Sequence, residues 1–138
     1  RNRRHRQNDR FNETISIKDV GEYPVPQLGK TLCITREPPV KNYEDDIQYV
    51  DAHVSDFPFT LRAALPGEQF QPLGAPGKKK ISRFFSDRKL PRHQRHLFPV
   101  LVSTDNRVIA IPGFTISDRV KVSEHSTEVL KIFWKQAD

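Results

Sequence analysis

The 138-residue sequence contains one cysteine, one tryptophan and no methionine. Because Cys33 is alone, no internal disulfide can form, which excludes a disulfide-rich secreted scaffold and fits a reducing, cytoplasmic setting. No apolar run approaches the roughly 18 residues of a membrane span, and no charged-then-apolar leader opens the chain. Since the chain begins at Arg1 without methionine, we expect it to be a piece of a longer, soluble protein.

Catalytic and metal-binding motifs are also missing. A phosphate-binding P-loop needs two glycines, a lysine and then Ser or Thr, but Pro72 occupies the first glycine position and Lys79 the last. His93 and His96 are three residues apart, yet they lack Cys or carboxylate neighbours, and the adjacent arginines would repel a cation. We therefore expect no catalytic residue, no cofactor and no metal ion in this chain.

The formal net charge of +6 is unevenly placed along the sequence. Residues 1–10 hold five arginines and one aspartate, whereas residues 37–56 hold six carboxylates and one lysine. The carboxylates at 44–46 could suit a hard cation, but a solvated acidic connector explains them more simply. Residues 76–96, here named the basic block, combine eight cations with one carboxylate: Lys78, Lys79, Lys80, Arg83, Arg88, Lys89, Arg92 and Arg95 against Asp87.

Hydrophobic periodicity predicts a strand-rich chain with one short basic helix. Prolines and glycines between Leu65 and Gly77 predict a loop. Ile81, Phe84 and Phe85 have the spacing of one helical face, which predicts a helix over 78–89. The predicted strands are 13–18, 30–36, 47–54 and 57–62, a hairpin of 98–102 with 107–111, and a last strand over 127–134.

The acidic stretch 37–46 is the most plausible internal boundary, because it has almost no apolar content. We accordingly divide the chain into a basic lead-in (1–10), a β-containing segment (11–56) and a second unit (57–138). The hydrophobic fraction of 36% is low for a globular domain, so we expect a thin core that depends strongly on Trp134. Cys33, in an alternating pattern, is expected to be a small buried hydrophobe.

The basic block favours binding to a polyanion. Lys78–Lys80 open the predicted helix, where cations oppose the helix dipole and repel one another, so stability alone does not explain them. Contacts with the phosphates of an RNA would explain why these lysines are there. Phe84 and Phe85 have core spacing, which favours double-stranded RNA read by shape over stacking on single-stranded bases. We expect RNA contacts from Lys79, Lys80, Arg88, Lys89, Arg92, Arg95 and Arg62.

These residues also carry a resemblance to a known family. Residues 57–134 resemble the C-terminal domain of the tRNA(Ile)-lysidine synthetases. Two positions depart from the family pattern: Glu68 stands where Asp is usual, and Thr115 where an Arg is common. The matching motifs are Leu61-Arg62, Pro66-Gly67-Glu68-Gln69-Phe70-Gln71-Pro72-Leu73-Gly74, Lys79-Lys80-Ile81, Phe84-Phe85, Lys89-Leu90-Pro91, Arg95, Pro99-Val100-Leu101 and Ile111-Pro112-Gly113.

The resemblance implies a bacterial ligase that uses ATP and Mg to adenylate the wobble cytidine of a minor tRNA(Ile) and then attaches lysine. In that family a separate N-terminal catalytic domain of the same chain holds ATP in a Ser-Gly-Gly-x-Asp-Ser loop, which this sequence lacks. The C-terminal domain is implied to grip the acceptor-stem arm of the tRNA. Its implied fold is a compact α+β domain with a β-sandwich of unusual topology, related to a module of the phenylalanyl-tRNA synthetase β chain. The strand-rich prediction from periodicity agrees with this fold class.

Two classes of function thus remain open from the residues. One is an RNA-gripping domain of a modification ligase, and the other is a structural or protein-interaction domain that orients the rest of a longer enzyme without touching RNA. The residues indicate no membrane partner and leave a homodimer open.

Overall fold

A computed structural model describes residues 10–137 of the chain. Most of the predicted basic lead-in therefore lies outside the described residues. Residues 10–137 contain one α-helix, α1 (Ile81–Asp87). They also contain 3-10 turns at Pro26–Leu28, Arg92–Leu97 and Asp118–Val120. The strands are β1 (Ile15–Ile17), β2 (Gly21–Val25), β3 (Lys30–Glu37), β4 (Gln48–Asp51), β5 (Phe59–Arg62), β6 (Gln69–Phe70), β7 (Lys79–Lys80), β8 (Val100–Val102), β9 (Val108–Ile111), β10 (Thr115–Ile116) and β11 (Val129–Gln136).

The described strands form two larger antiparallel sheets and a small ribbon. The first sheet has the order β1-β5-β8-β9-β10, the second β2-β3-β11-β4, and β6 pairs with β7. The last strand, β11, lies between β3 and β4, so Ile132 is opposite Ile34 on one side and Gln48 on the other. The acidic connector thus joins two strands of a sheet whose centre comes from the C-terminal end of the chain. The predicted strand-rich α+β class is confirmed.

The main core lies between the two larger sheets. Alternate residues of the second sheet, including Leu32, Ile34 and Ile132, are fully buried against Leu61 and Leu101 of the first. Alternation along a strand sends successive side chains to opposite faces, which explains why these positions recur every second residue. The sequence pattern predicted these strands for that reason.

A second core lies on the outer face of the first sheet, where α1 packs. Val100 and Val102 face this helix while Leu101, between them, faces the other sheet. A strand that is covered on both faces has a continuous run of apolar residues in its sequence. The core is therefore larger than the overall composition predicted, because the apolar residues concentrate in strands that bury both of their faces. Phe84 and Phe85 lie in this second core, as their spacing predicted.

The structure corrects three expectations about local structure. The helix is shorter than the predicted 78–89, because Lys79 and Lys80 are extended and pair with β6. Strand β2 was not predicted, since Pro24 suggested a break; β2 is an edge strand, where a missing N–H is tolerated. Trp134 is half-buried rather than fully buried.

Other local expectations are confirmed. Strands β8 and β9 form the predicted hairpin, and Asn106 in its turn has a positive φ of 63°. Cys33 is 3% exposed, and burial raises the pKa of its thiol. Among the described residues, no helix is both long enough and apolar enough to cross a membrane.

Candidate nucleic-acid interface

Helix α1 ends in a Schellman motif that positions two cations of the basic block. The Leu90 N–H donates to the Phe85 carbonyl oxygen at 3.1 Å, and the Lys89 N–H donates to the Ser86 carbonyl at 2.9 Å. Lys89 therefore adopts φ of 61°, a left-handed conformation usually taken by glycine. The Arg88 guanidinium lies over the Phe84 ring, 4.6 Å from its centroid. Both side chains are exposed at the end of the helix.

Arg83 and Asp87 of α1 form an ion-pair network with Lys79. Lys79 Nζ lies 2.7 Å from one Asp87 oxygen, and Arg83 Nε lies 3.0 Å from the other. The hydrogen bonds from these two cations hold the pKa of Asp87 below its usual range. The single carboxylate of the basic block is thus shared between Lys79 and Arg83, and it leaves the remaining cations without compensation.

Five predicted RNA-binding residues have no carboxylate within ion-pair distance in the described part of the chain. Arg95 is half-buried, and its Nε donates to the Leu90 carbonyl at 2.9 Å. Its terminal nitrogens remain available to a ligand. The other four are exposed. The five residues, here named the free cations, are Lys80, Arg88, Lys89, Arg92 and Arg95.

Arg62, also predicted to contact RNA, is committed to a partner inside the protein. Its two terminal nitrogens donate to both oxygens of Glu68 at 2.9 and 2.8 Å, and the two side chains are only 14% and 11% exposed. Burial alone would raise the pKa of Glu68, but the hydrogen bonds from Arg62 and the Leu65 amide outweigh it and lower that pKa. The Leu-Arg and Pro-Gly-acid motifs therefore meet in one ion pair.

A cavity of about 440 Å³, here named the arginine cavity, opens beside α1. Its walls come from loop 63–68, one side of α1, and the 3-10 turn Arg92–Leu97. Arg92 and Arg95 line it together with Arg10 and His96. The Phe11 N–H donates to the His96 carbonyl at 2.7 Å, which joins the start of the described chain to this turn. Two of the predicted site residues are thus brought together here, while Arg88 and Lys89 lie at the helix end.

Sequence reasoning did not assign Arg10 and His96 to a site. Arg10 is separated from Arg95 by most of the chain, and their meeting depends on a backbone hydrogen bond that no local pattern encodes. The only available signal was that both the lead-in and the basic block are rich in arginine. Within residues 10–137, no group of three or more His, Cys, Asp or Glu side chains is placed to hold a metal ion.

The fold and the basic surface together define a class of domain: an antiparallel two-sheet sandwich, covered on one outer face by a short helix that is flanked at both ends by cations. A solved structure of a TilS C-terminal domain has this fold, with a TM-score of 0.73 and 22% identity over 91% of this chain and 99% of that one. An N-terminal fragment of the phenylalanyl-tRNA synthetase β-subunit from Pyrococcus horikoshii has a TM-score of 0.59 and 16% identity, covering 86% of this chain and 47% of that one.

The chain belongs to the TilS substrate C-terminal domain family, whose model matches residues 59–134. The resemblance stated from the sequence is thereby confirmed. The tRNA(Ile)-lysidine synthase of Parabacteroides distasonis is 32% identical over 113 residues, 82% of this chain and 25% of that protein. The synthase of Symbiobacterium thermophilum is 35% identical over 102 residues, 72% of this chain and 21% of that protein. The chain spans about a quarter of the length of these relatives.

Proposed function

We propose that this chain is the tRNA-binding C-terminal domain of a cytoplasmic tRNA(Ile)-lysidine synthase. It grips the acceptor-stem arm of tRNA(Ile) so that a separate N-terminal domain can ligate lysine to the wobble cytidine. ATP and Mg belong to that other domain, since this sequence lacks a phosphate loop. The named relatives, which are lysidine synthases, support the proposal.

The observation that carries the proposal is the set of free cations. Lys80, Arg88, Lys89, Arg92 and Arg95 all stand on or next to α1, and no described carboxylate neutralises them. Exposed cations in such a cluster repel one another and contribute little to folding, so a bound polyanion is the better explanation. Arginine can donate two parallel hydrogen bonds to a phosphate, whereas lysine acts as a point charge.

The remaining predicted contacts have different roles in this proposal. Lys79 is 34% exposed and shares Asp87 with Arg83, so it can turn toward a phosphate only by releasing that carboxylate. Arg62 supports the interface indirectly, because its pairing with Glu68 holds the loop beside α1. We therefore expect smaller effects on RNA affinity from Lys79 than from the free cations.

The test is filter binding of full-length tRNA to the 138-residue chain at several salt concentrations. About four phosphate contacts predict a slope of log affinity against log salt near −3 to −4. Lys80→Ala and Arg92→Ala should each weaken binding and flatten the slope by about one unit. The matched control is Lys41→Ala, which removes an exposed lysine from the acidic connector of the other sheet.

The alternative class predicts a different result. A purely structural or protein-interaction domain would give the same RNA affinity and the same salt slope for Lys80→Ala, Arg92→Ala and Lys41→Ala. Circular dichroism establishes that each variant is folded before the affinities are compared. Equal slopes in folded proteins would exclude the RNA-binding role.

A further inference from the structure

The arginine cavity has a charge pattern that the phosphate-gripping surface does not require. Arg10, Arg92 and Arg95 line a concave site rather than a flat surface. None of the three has a carboxylate within ion-pair distance among the described residues. Phosphates of a duplex lie on its convex outside and can be contacted by a flat surface, so a group of arginines around a concavity indicates a smaller ligand that enters it.

Among the described residues, Glu68 is the only carboxylate in the wall of the cavity, and its charge does not repel an anion there. Both oxygens of Glu68 accept hydrogen bonds from Arg62, and one of them also accepts the Leu65 N–H at 2.9 Å. Its charge is therefore compensated within the protein. The Ser82 hydroxyl also lines the cavity and forms no hydrogen bond within residues 10–137. The polar part of the cavity is cationic and offers an unused hydroxyl.

The rest of the wall is apolar and partly aromatic. Phe85, Phe98 and Ile81 form it together with Ala63 and Ala64. Phe85 is 2% exposed and fixed by ring contacts to Phe98 and Phe84, so this side of the cavity is rigid. A free inorganic anion would use only the arginines. A ligand that uses both sides carries a phosphate and a flat apolar part, as a nucleotide does.

We propose that the arginine cavity binds one unpaired nucleotide of the tRNA, its phosphate at Arg92 and Arg95 and its base against the apolar wall. This inference rests on the proposed function, which brings the acceptor stem to α1. The single-stranded 3′ end continues from that stem, so it supplies the unpaired nucleotide. The cavity volume of about 440 Å³ lies within the range of small-ligand pockets and is too small for a duplex.

The experiment compares intact tRNA with tRNA trimmed of its unpaired 3′ nucleotides, both binding to the 138-residue chain. Trimming should weaken binding to the wild type by about tenfold, the effect of losing one charge-assisted contact. Arg92→Gln should remove this difference, so that intact and trimmed tRNA bind alike. Arg83→Gln is the matched control: it neutralises an exposed arginine of the neighbouring helix α1 that does not line the cavity, and it should preserve the difference.

A second measurement uses the trinucleotide CCA and follows the backbone amides by NMR. Its addition should shift the amide signals of loop 63–68 and Ser82, and Ala64→Phe, which fills the cavity, should abolish those shifts. Inorganic phosphate at the same concentration should produce smaller shifts. Equal shifts from phosphate would overturn the proposal in favour of a simple anion site.

The outcomes separate this inference from the proposed function. If intact and trimmed tRNA bind the wild type equally and tightly, the nucleotide site is excluded while the RNA-binding role stands. If neither tRNA binds at all, the proposed function fails and the inference fails with it.

Discussion

Arg62 and Glu68 form a bidentate ion pair in which both carboxylate oxygens accept a guanidinium N–H, at 2.9 and 2.8 Å. The two residues are six positions apart, one on β5 and the other at the turn before β6. The Glu68 carbonyl accepts the Ile81 N–H at 3.0 Å, so the pair also fixes the start of α1. It thereby connects the first sheet, the loop beside the arginine cavity and α1.

Breaking this pair should destabilise the domain. Arg62→Ala leaves a mostly buried carboxylate without its partner, and we expect the free energy of unfolding to fall by about 2 to 4 kcal/mol. Glu68→Ala should have a similar cost, while the double variant should lose less than the sum. Urea unfolding of the four proteins measures the coupling. Additive losses, within about 0.5 kcal/mol, would contradict a direct interaction.

The same pair predicts how stability depends on pH. The folded protein lowers the pKa of Glu68, so the pair is fully stabilising above the ordinary Glu pKa of about 4.3 and loses that contribution as the pH falls through the lower folded value. The free energy of unfolding should therefore decrease on acidification below that point. Glu68→Gln should reduce this slope, because its side chain does not titrate. An unchanged slope would mean that Glu68 is not a source of the acid sensitivity.

Much of the fold could be predicted because alternation is a local signal. In β3 and β11 the fully buried pairs Leu32 with Ile34 and Leu130 with Ile132 are each two positions apart, and the sequence alone shows this spacing of apolar residues. The insertion of β11 between β3 and β4 could not be predicted, since antiparallel pairing between distant strands has no local signature. The edge strand β2 was not predicted, because the proline within it suggested a break in the strand.

The candidate site was predicted less completely, for a related reason. The composition of the basic block identified the cations, but not which of them are neutralised. Whether Lys79 is paired depends on the extended conformation of β7, which places it near Asp87, eight residues later. The position of Arg10 depends on a contact between the start of the described chain and the distant turn Arg92–Leu97. Charge is visible in a sequence, while compensation of charge is a tertiary property.

Trp134 stabilises the fold by a contact with the turn after β9. Its indole N–H donates to the Pro112 carbonyl at 3.0 Å, and a Cβ added at Gly113 would lie 3.3 Å from the ring. Because the side chain is half-buried, we expect Trp134→Ala to cost about 2 to 3 kcal/mol, less than a fully buried Trp. Trp134→Phe should cost about 1 kcal/mol, mainly the lost hydrogen bond. Urea unfolding that leaves both variants as stable as the wild type would exclude this role.

Gly113 provides an independent test of the same contact. Its φ of +93° is unfavourable for any residue with a Cβ, and the nearest neighbour of that Cβ would be the Trp134 ring. Gly113→Ala should therefore destabilise the protein by about 1 to 3 kcal/mol. The control is Gly77→Ala, because Gly77 has no positive φ and a Cβ there would meet open space. Similar losses at both positions, measured by urea unfolding, would contradict a specific constraint at Gly113.

Lys89 allows the charge of the interface to be separated from its stability. A lysine in the left-handed conformation that ends α1 is disfavoured, so Lys89→Gly should raise the free energy of unfolding by up to about 1 kcal/mol relative to Lys89→Ala. Both variants remove the same positive charge, and both should weaken tRNA binding equally, flattening the salt slope by about one unit. The measurements are urea unfolding and filter binding at several salt concentrations. If Lys89→Gly is more stable and binds tRNA as the wild type does, the lysine is not a phosphate contact. If the two variants differ in stability but lose the same tRNA affinity, the loss comes from the missing charge. A loss of affinity caused by unfolding would instead be larger in the less stable variant.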